Sequence, residues 1–215
     1  MDDAASVAAA VAAAGEIDAL VNNAGRGGGG PVEKVPLEVA RQIMETNLWG
    51  VVRMIQAVLP GMRERGRGGA IVNVSSVSGR VAAPLGGFYT ASKCALEGMS
   101  GAPELEVGHF GIRVAIVVPG FFATEMRHKN VQYGVDEPPY DSLHRQLDGT
   151  DGKLLGGPRP GPEAVAVAIA DAVEGKDERL RIPVGQDAEM VIGTREKLDD
   201  AAFEAAMRQV LAIDW

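Results

Sequence analysis

Apolar side chains recur along this chain in two alternating rhythms. At helical spacing they fall in an Ala-rich segment, residues 2–14, closed by Gly15. Asp2 and Asp3 suit its positive N-terminal end. The same spacing returns in 37–60 through Val39, Ile43, Met44, Leu48, Val51, Val52, Ile55, Val58 and Leu59, and predicts one long helix ended by Pro60-Gly61. Further helices are predicted at 88–107, at 162–173 with a proline near the first turn, and near 187–193 and 200–211. Between them lie short apolar, often β-branched runs at 17–21, 70–74, 112–118 and 180–184, which read as buried strands. Strands alternating with helices predict an α/β fold: a Rossmann-like, doubly wound parallel sheet with helices on both faces. Ligands on such sheets bind at the carboxyl ends of the strands, which draws attention to 22–25, 75–79 and 119–124. The stretch 121–160 is irregular and too long for an ordinary connection, so it is expected to form the substrate loop.

Composition narrows this picture. At 215 residues the chain is expected to be a single domain. Hydrophobic residues make 46% and charged residues 23%, which excludes wholesale disorder. Aromatic residues are only 5%, so Val, Ala, Leu and Ile must build the core. The 28 glycines follow no Gly-X-Y repeat and belong to turns and close backbone approaches. A net charge of −8 argues against a nucleic-acid partner. The single cysteine, Cys94, excludes an internal disulfide and a CxxC zinc site, and is read as a small helix-packing residue. His109, His128 and His144 are not at ligand spacing, so no metal is expected. No window of about 18 apolar residues exists and the start lacks a basic signal region. No membrane segment and a cytoplasmic location are therefore expected.

The post-strand loops carry distinctive residues. Asn22-Asn23-Ala24-Gly25 follows the first strand, Ser75-Ser76 the second, and Pro119-Gly120, with Thr124 four residues on, the third. Tyr89 and Lys93 lie four apart on a predicted helix, hence on one face, and Ser76 lies thirteen residues before Tyr89. Each has a plain reading: a helix cap for the serines, a local backbone bond for Asn47, a turn for Pro-Gly. Gly25 to Gly30 formally fits G-x-G-x-x-G, but Pro31 to Pro36 intervene where a helix should open, so the run is read as a mobile loop flanking the site.

The ordered set NNAG, TNLWG, VNVSS, YTASK and PGFFAT resembles the short-chain dehydrogenase/reductase family, closely over residues 1–125 and more loosely to about 185. The resemblance implies an NAD(P)-dependent oxidoreductase interconverting a secondary alcohol and a ketone. It implies Tyr89 as acid/base, Lys93 as the cation that favours the phenolate and bonds the nicotinamide ribose, and Ser76 as donor to the substrate oxygen. Asn47 would hold a water linking Lys93 to solvent. Asn23, Ala24 and Gly25, with Tyr89 and Lys93, would meet the cofactor ribose; Pro119, Gly120, Phe122 and Thr124 would flank the nicotinamide. A homodimer or homotetramer is implied as well. Phe121, Phe122, Met126, Tyr133 and Tyr140 suggest an apolar carbonyl or alcohol substrate.

The family's phosphate-binding turn, T-G-x-x-x-G-x-G, has no counterpart ahead of Asn22, where Gly15 is the one glycine. A β-α-β-α-β portion of roughly 60 residues is therefore expected to be missing from a truncated domain, and weak NAD(P) binding is expected of the remaining chain. Two alternatives stay open: a non-catalytic remnant acting as an interaction module through its long helices, and an epimerase or dehydratase on the same cofactor. Pro103 inside the 88–107 helix is a further departure, expected to kink it.

Overall fold

Residues 1–148 and 154–214 are described by a computed structural model, with the side chains of Arg127 and His128 outside the described set. Residues 149–153 of the expected substrate loop likewise lie outside the described residues. Four strands form one sheet in the order β1-β2-β3-β4, every neighbouring pair parallel. They are β1 (Ala19–Asn22), β2 (Gly69–Val74), β3 (Ile112–Pro119) and β4 (Arg181–Val184). The helices are α1 (Ala4–Ala14), α2 (Leu37–Met44), α3 (Gly50–Arg65), α4 (Gly87–Val107), α5 (Glu125–Lys129), α6 (Asp141–Leu147), α7 (Glu163–Glu174), α8 (Gln186–Arg195) and α9 (Asp200–Leu211).

The α/β arrangement with helices on both faces is as the pattern predicts. On one face, Leu20, Ile71 and Val114 pack against Val51, Ile55 and Val58 of α3 and Leu96 of α4. Ile116 and Val118 meet Val191 and Ile192 of α8 on that side. On the other face, Val72, Ala115 and Val117 pack against Ala172, Ala168 and Ile169 of α7. Each fully buried Ile or Val side chain contributes about 1.5–3 kcal/mol.

Four local expectations change. The 37–60 helix is not uniform: a π-helical turn, Glu45–Trp49, separates α2 from α3. Nor does Pro60 end it, because α3 runs on to Arg65 and stops at Gly66 in the left-handed region. The carbonyl that Pro60 leaves without its N–H partner belongs to exposed Gln56, which water can serve. In the irregular 121–160 stretch, α5 and α6 form. Finally, β1 is buried on one face only. Leu20 and Asn22 face inward while Ala19 and Val21 are exposed, because α7 covers β2 to β4 and not β1.

Among the described residues, no helix is long and apolar enough to cross a membrane. No group of three or more His, Cys, Asp or Glu could hold a metal among them either. His144 pairs with Asp136 at 3.2 Å, and His109 lies beside the Phe110 ring. Cys94 is exposed instead of packed inside; its Sγ faces the carbonyl of Gly79 at 3.3 Å, and partial desolvation of the half-covered thiol pushes its pKa up.

Candidate active site

Parallel strands deliver their carboxyl ends to one edge, and the loops that leave β2, β3 and β4 open there onto a cavity of about 1190 Å³. Asn23, Ser76, Tyr89, Lys93, Pro119, Gly120, Phe122 and Thr124 all line it. The structure thus brings eight of the sequence-predicted site residues together. Gly25 stands beside them: a Cβ placed there would lie 3.5 Å from Asn47 Oδ1 and 3.7 Å from Lys93 Nζ. Ala24 is exposed and outside the cavity wall.

Tyr89 and Lys93 share a face of α4 because they are one helical turn apart, and Lys93 Nζ lies 5.8 Å from the Tyr89 ring centroid. Ser76 extends from β2 as the cap of a short 3-10 turn, accepting from the Ser78 N–H at 3.2 Å, and its hydroxyl is near enough to the Tyr89 phenol to favour the phenolate. Burial raises the phenol pKa above its usual 10, and the Ser76 hydroxyl opposes that rise. The expectation that Lys93 lowers this pKa is therefore corrected for the protein alone. The ammonium turns away and donates to the Val74 carbonyl at 2.8 Å, so desolvation decides the sign. Lys93 itself is 3% exposed. Burial lowers its pKa to about 8, against the nearby charge of Glu97, which holds it up.

Asn47 sits in the π-helical turn, a distortion frequent at functional sites. Its Oδ1 accepts from the Arg26 N–H at 2.7 Å, and its Nδ2 donates to the Arg26 carbonyl and to Ser92 Oγ, both at 2.9 Å. Both amide hydrogens are used, so this side chain ties the post-β1 loop to α4. Asn22, adjacent in sequence to the predicted site, is structural: it donates to Asn73, which donates to Ser100, both at 2.8 Å.

The glycine run is not a mobile loop in this structure. Gly29 pairs with the 131–133 strand-like segment through bonds to Val131 and Tyr133, and Gly30 donates to the Leu85 carbonyl at 2.7 Å. Gly30 has φ +140°, and a side chain there would meet the Tyr133 carbonyl at 2.3 Å. Tyr133 thus serves this pairing, and Tyr140 hydrogen-bonds Glu33; neither lines the cavity. Phe121 and Met126 do, and Phe122 borders it while packing with Val117 and Ile182 in the core.

Sequence reading missed Asp187. Buried at the start of α8, it accepts the Phe121 N–H at 2.7 Å and leaves Oδ1 without a partner. A Cβ on Gly120 would lie 2.1 Å from its Oδ2, so only glycine fits there. The available signal was position: Asp187 follows β4 as the other site loops follow their strands.

Known proteins agree with this arrangement. The short chain dehydrogenase family model matches residues 2–133. A 3-ketodihydrosphingosine reductase of Bacteroides thetaiotaomicron is 38% identical over 203 residues, covering 93% of this chain and 74% of that protein. An uncharacterized oxidoreductase of Schizosaccharomyces pombe is 35% identical over 210 residues, covering 97% of this chain and 87% of its own length. Human retinol dehydrogenase 8 is 37% identical over 174 residues, covering 78% of this chain and 56% of that protein. Among solved structures, a short-chain dehydrogenase from Streptomyces avermitilis superposes with TM-score 0.79 at 30% identity, covering 99% of this chain and 77% of that one. One from Burkholderia cenocepacia in complex with NADP gives TM-score 0.73 at 29% identity, with coverages of 95% and 74%. The chain belongs to the short-chain dehydrogenase family.

Proposed function

We propose that Tyr89 is the acid/base of an NAD(P)-dependent oxidoreductase that interconverts a secondary alcohol and a ketone. The observation that supports it most is the meeting of Tyr89, Ser76 and Lys93 on the wall of one cavity. A phenol held protonated by burial can give its proton to a forming alkoxide. Ser76, next to that phenol on the cavity wall, donates to the same oxygen and holds the carbonyl beside it. Lys93 supplies the positive charge that favours the phenolate left behind. Asn47 fixes the Gly25-Arg26 backbone next to Lys93.

Bound NAD(P) would carry the hydride, its reduced form giving it to the ketone and its oxidised form taking it from the alcohol. The residues fit its nicotinamide and ribose half: Gly25 and Gly120 keep the wall free of side chains, while Asn23, Pro119, Phe122 and Thr124 border the space. NADP in the Burkholderia cenocepacia neighbour supports this assignment.

The substrate proposed is an elongated apolar ketone or alcohol. The cavity wall includes Leu85, Leu143, Leu154, Val191, Phe203 and Met207, interspersed with charged residues such as Arg80, Arg159 and Arg195. Two relatives are named for 3-ketodihydrosphingosine and for retinol, which supports an apolar substrate. The whole chain acts as one domain, with 121–160 as its substrate-loop region. A homodimer or homotetramer through the outer faces of α3 and α4 is supported by exposed Leu105 on α4 and Trp49 ahead of α3. A cytoplasmic site of action fits the absence of a membrane-crossing helix among the described residues. The interaction-module and epimerase or dehydratase alternatives draw no support from relatives named as reductases and dehydrogenases. Net oxidation of NADPH or NADH on a panel of ketones of rising chain length tests the reading. Preference for long apolar ketones is expected; isomerisation or dehydration without net cofactor turnover would overturn it.

A further inference from the structure

Glu97 lies one turn beyond Lys93 on α4, so the two side chains neighbour each other along one face. Glu97 is 4% exposed. Oε2 accepts from Arg181 Nε at 2.7 Å, while Oε1 has no hydrogen-bond partner. Gly79 closes over the stem: a Cβ there would lie 3.0 Å from Glu97 Cγ. Arg181 opens β4, opposite Ile116 of β3, so the ion pair joins a helix to a strand distant in sequence.

A buried ion pair is weak stabilisation, and an unsatisfied carboxylate oxygen makes it weaker. An apolar side chain of similar volume would serve packing at least as well. The location beside a buried ammonium gives the charge a use. We propose that Glu97 is a positioning residue for the proton on Lys93: it keeps the ammonium charged at working pH, and Arg181 sets how much of that negative charge Lys93 feels. The catalytic consequence rests on the Tyr89–Lys93 reading above; the electrostatic coupling itself does not.

The other groups around Lys93 leave this role to Glu97. On α4, Tyr89 is neutral and Cys94 faces the Gly79 carbonyl. The Val74 carbonyl of β2 accepts from the ammonium, and the π-helical turn offers the neutral Asn47. The post-β1 loop carries Arg26, and the segment after β2 carries neutral Ser76 and Arg80, which is paired with Glu196. From α5 comes uncharged Met126. From α8, Asp187 holds the Phe121 N–H on the β3 loop. Glu97 is the acid whose field reaches Lys93 and holds its proton against desolvation.

The test is the titration of Lys93 itself, followed by NMR of the labelled side chain in the cofactor-free protein, beside the pH profile of kcat/KM. Glu97→Gln keeps shape and removes the negative charge, so the Lys93 midpoint should fall by about one pH unit. Arg181→Gln removes the counter-cation and should raise the midpoint by roughly half a unit or more. Arg181→Lys keeps the cation and should leave it near the wild-type value. The opposite signs are the signature, because a structural role predicts losses of stability without opposed midpoints. If Glu97→Gln does not fold, the Arg181→Gln and Arg181→Lys pair still decides. Midpoints that stay put, or move the same way in Glu97→Gln and Arg181→Gln, would overturn the proposal. A shifted midpoint with an unchanged kcat/KM profile would leave the coupling standing and remove Lys93 from catalysis.

Discussion

The Lys93 ammonium donates to the Val74 carbonyl at 2.8 Å and stands 5.8 Å from the centroid of the Tyr89 ring. The cation is thus held against the β2 carbonyl and not against the phenol oxygen. Storing it there is costly. A lysine held near 8 in the folded protein and at 10.5 in the unfolded chain carries about 3 kcal/mol of unfavourable burial while charged.

That cost gives the first prediction. Between pH 8 and 10.5 the unfolded chain binds more protons than the folded one, so stability rises with pH across this window. Below pH 8 the full penalty stays. Lys93→Met removes the charge, and with it the penalty, offset by about 1 kcal/mol for the lost Val74 bond. Urea denaturation at pH 7 should find the variant more stable by about 1–2 kcal/mol. The wild-type rise between pH 8 and 10.5 should be absent from it.

A second prediction concerns the clamp between the loop after β3 and the start of α8. Gly120→Ala drives a methyl into Asp187 and should destabilise by about 1–3 kcal/mol. Asp187→Ala leaves the Phe121 N–H without its acceptor and should cost a similar amount. In the double variant the clash is gone, so a double-mutant cycle by denaturation should show less than the sum, with a coupling of at least 0.5 kcal/mol.

Asn47 gives the third. Its amide serves three partners across 21 and 45 residues of sequence. Asn47→Ala should cost about 2–3 kcal/mol, because buried groups lose their partners. Asn47→Asp should be nearly as harmful, since a carboxylate cannot donate to the Arg26 carbonyl. Turnover measured on the folded fraction should fall in both, because Gly25 loses its fixed place beside Lys93.

Much of this was legible in the sequence because the signals are local. The strands at 69–74 and 112–119 are dense in Val, Ile and Ala, which can pack on both faces of a covered sheet. Tyr89 and Lys93 declare their shared face by spacing alone. The rest depends on packing between distant segments. Nothing near Pro60 says that helix α3 continues, since that turns on Gln56 facing water. The pairing of Gly29 with 131–133 joins loops about a hundred residues apart, so a glycine run that looks free is pinned. Tyr133 and Tyr140 are apolar-looking residues whose backbone or hydroxyl has other work. Glu97 and Asp187 are ordinary acids in sequence, and only burial beside Lys93 and Gly120 singles them out.

In the proposed reaction one phenol, that of Tyr89, carries the proton. Tyr89→Phe removes a single oxygen, keeps the ring on the cavity wall, and leaves Lys93 its bond to Val74. The decisive measurement is NAD(P)H oxidation by the purified Tyr89→Phe protein on its best apolar ketone, with folding checked by circular dichroism. Loss of the acid should lower kcat by 10²-fold or more, to order of magnitude, while the thermal midpoint stays near that of the wild type. A folded Tyr89→Phe protein that turns over at the wild-type rate would contradict the account.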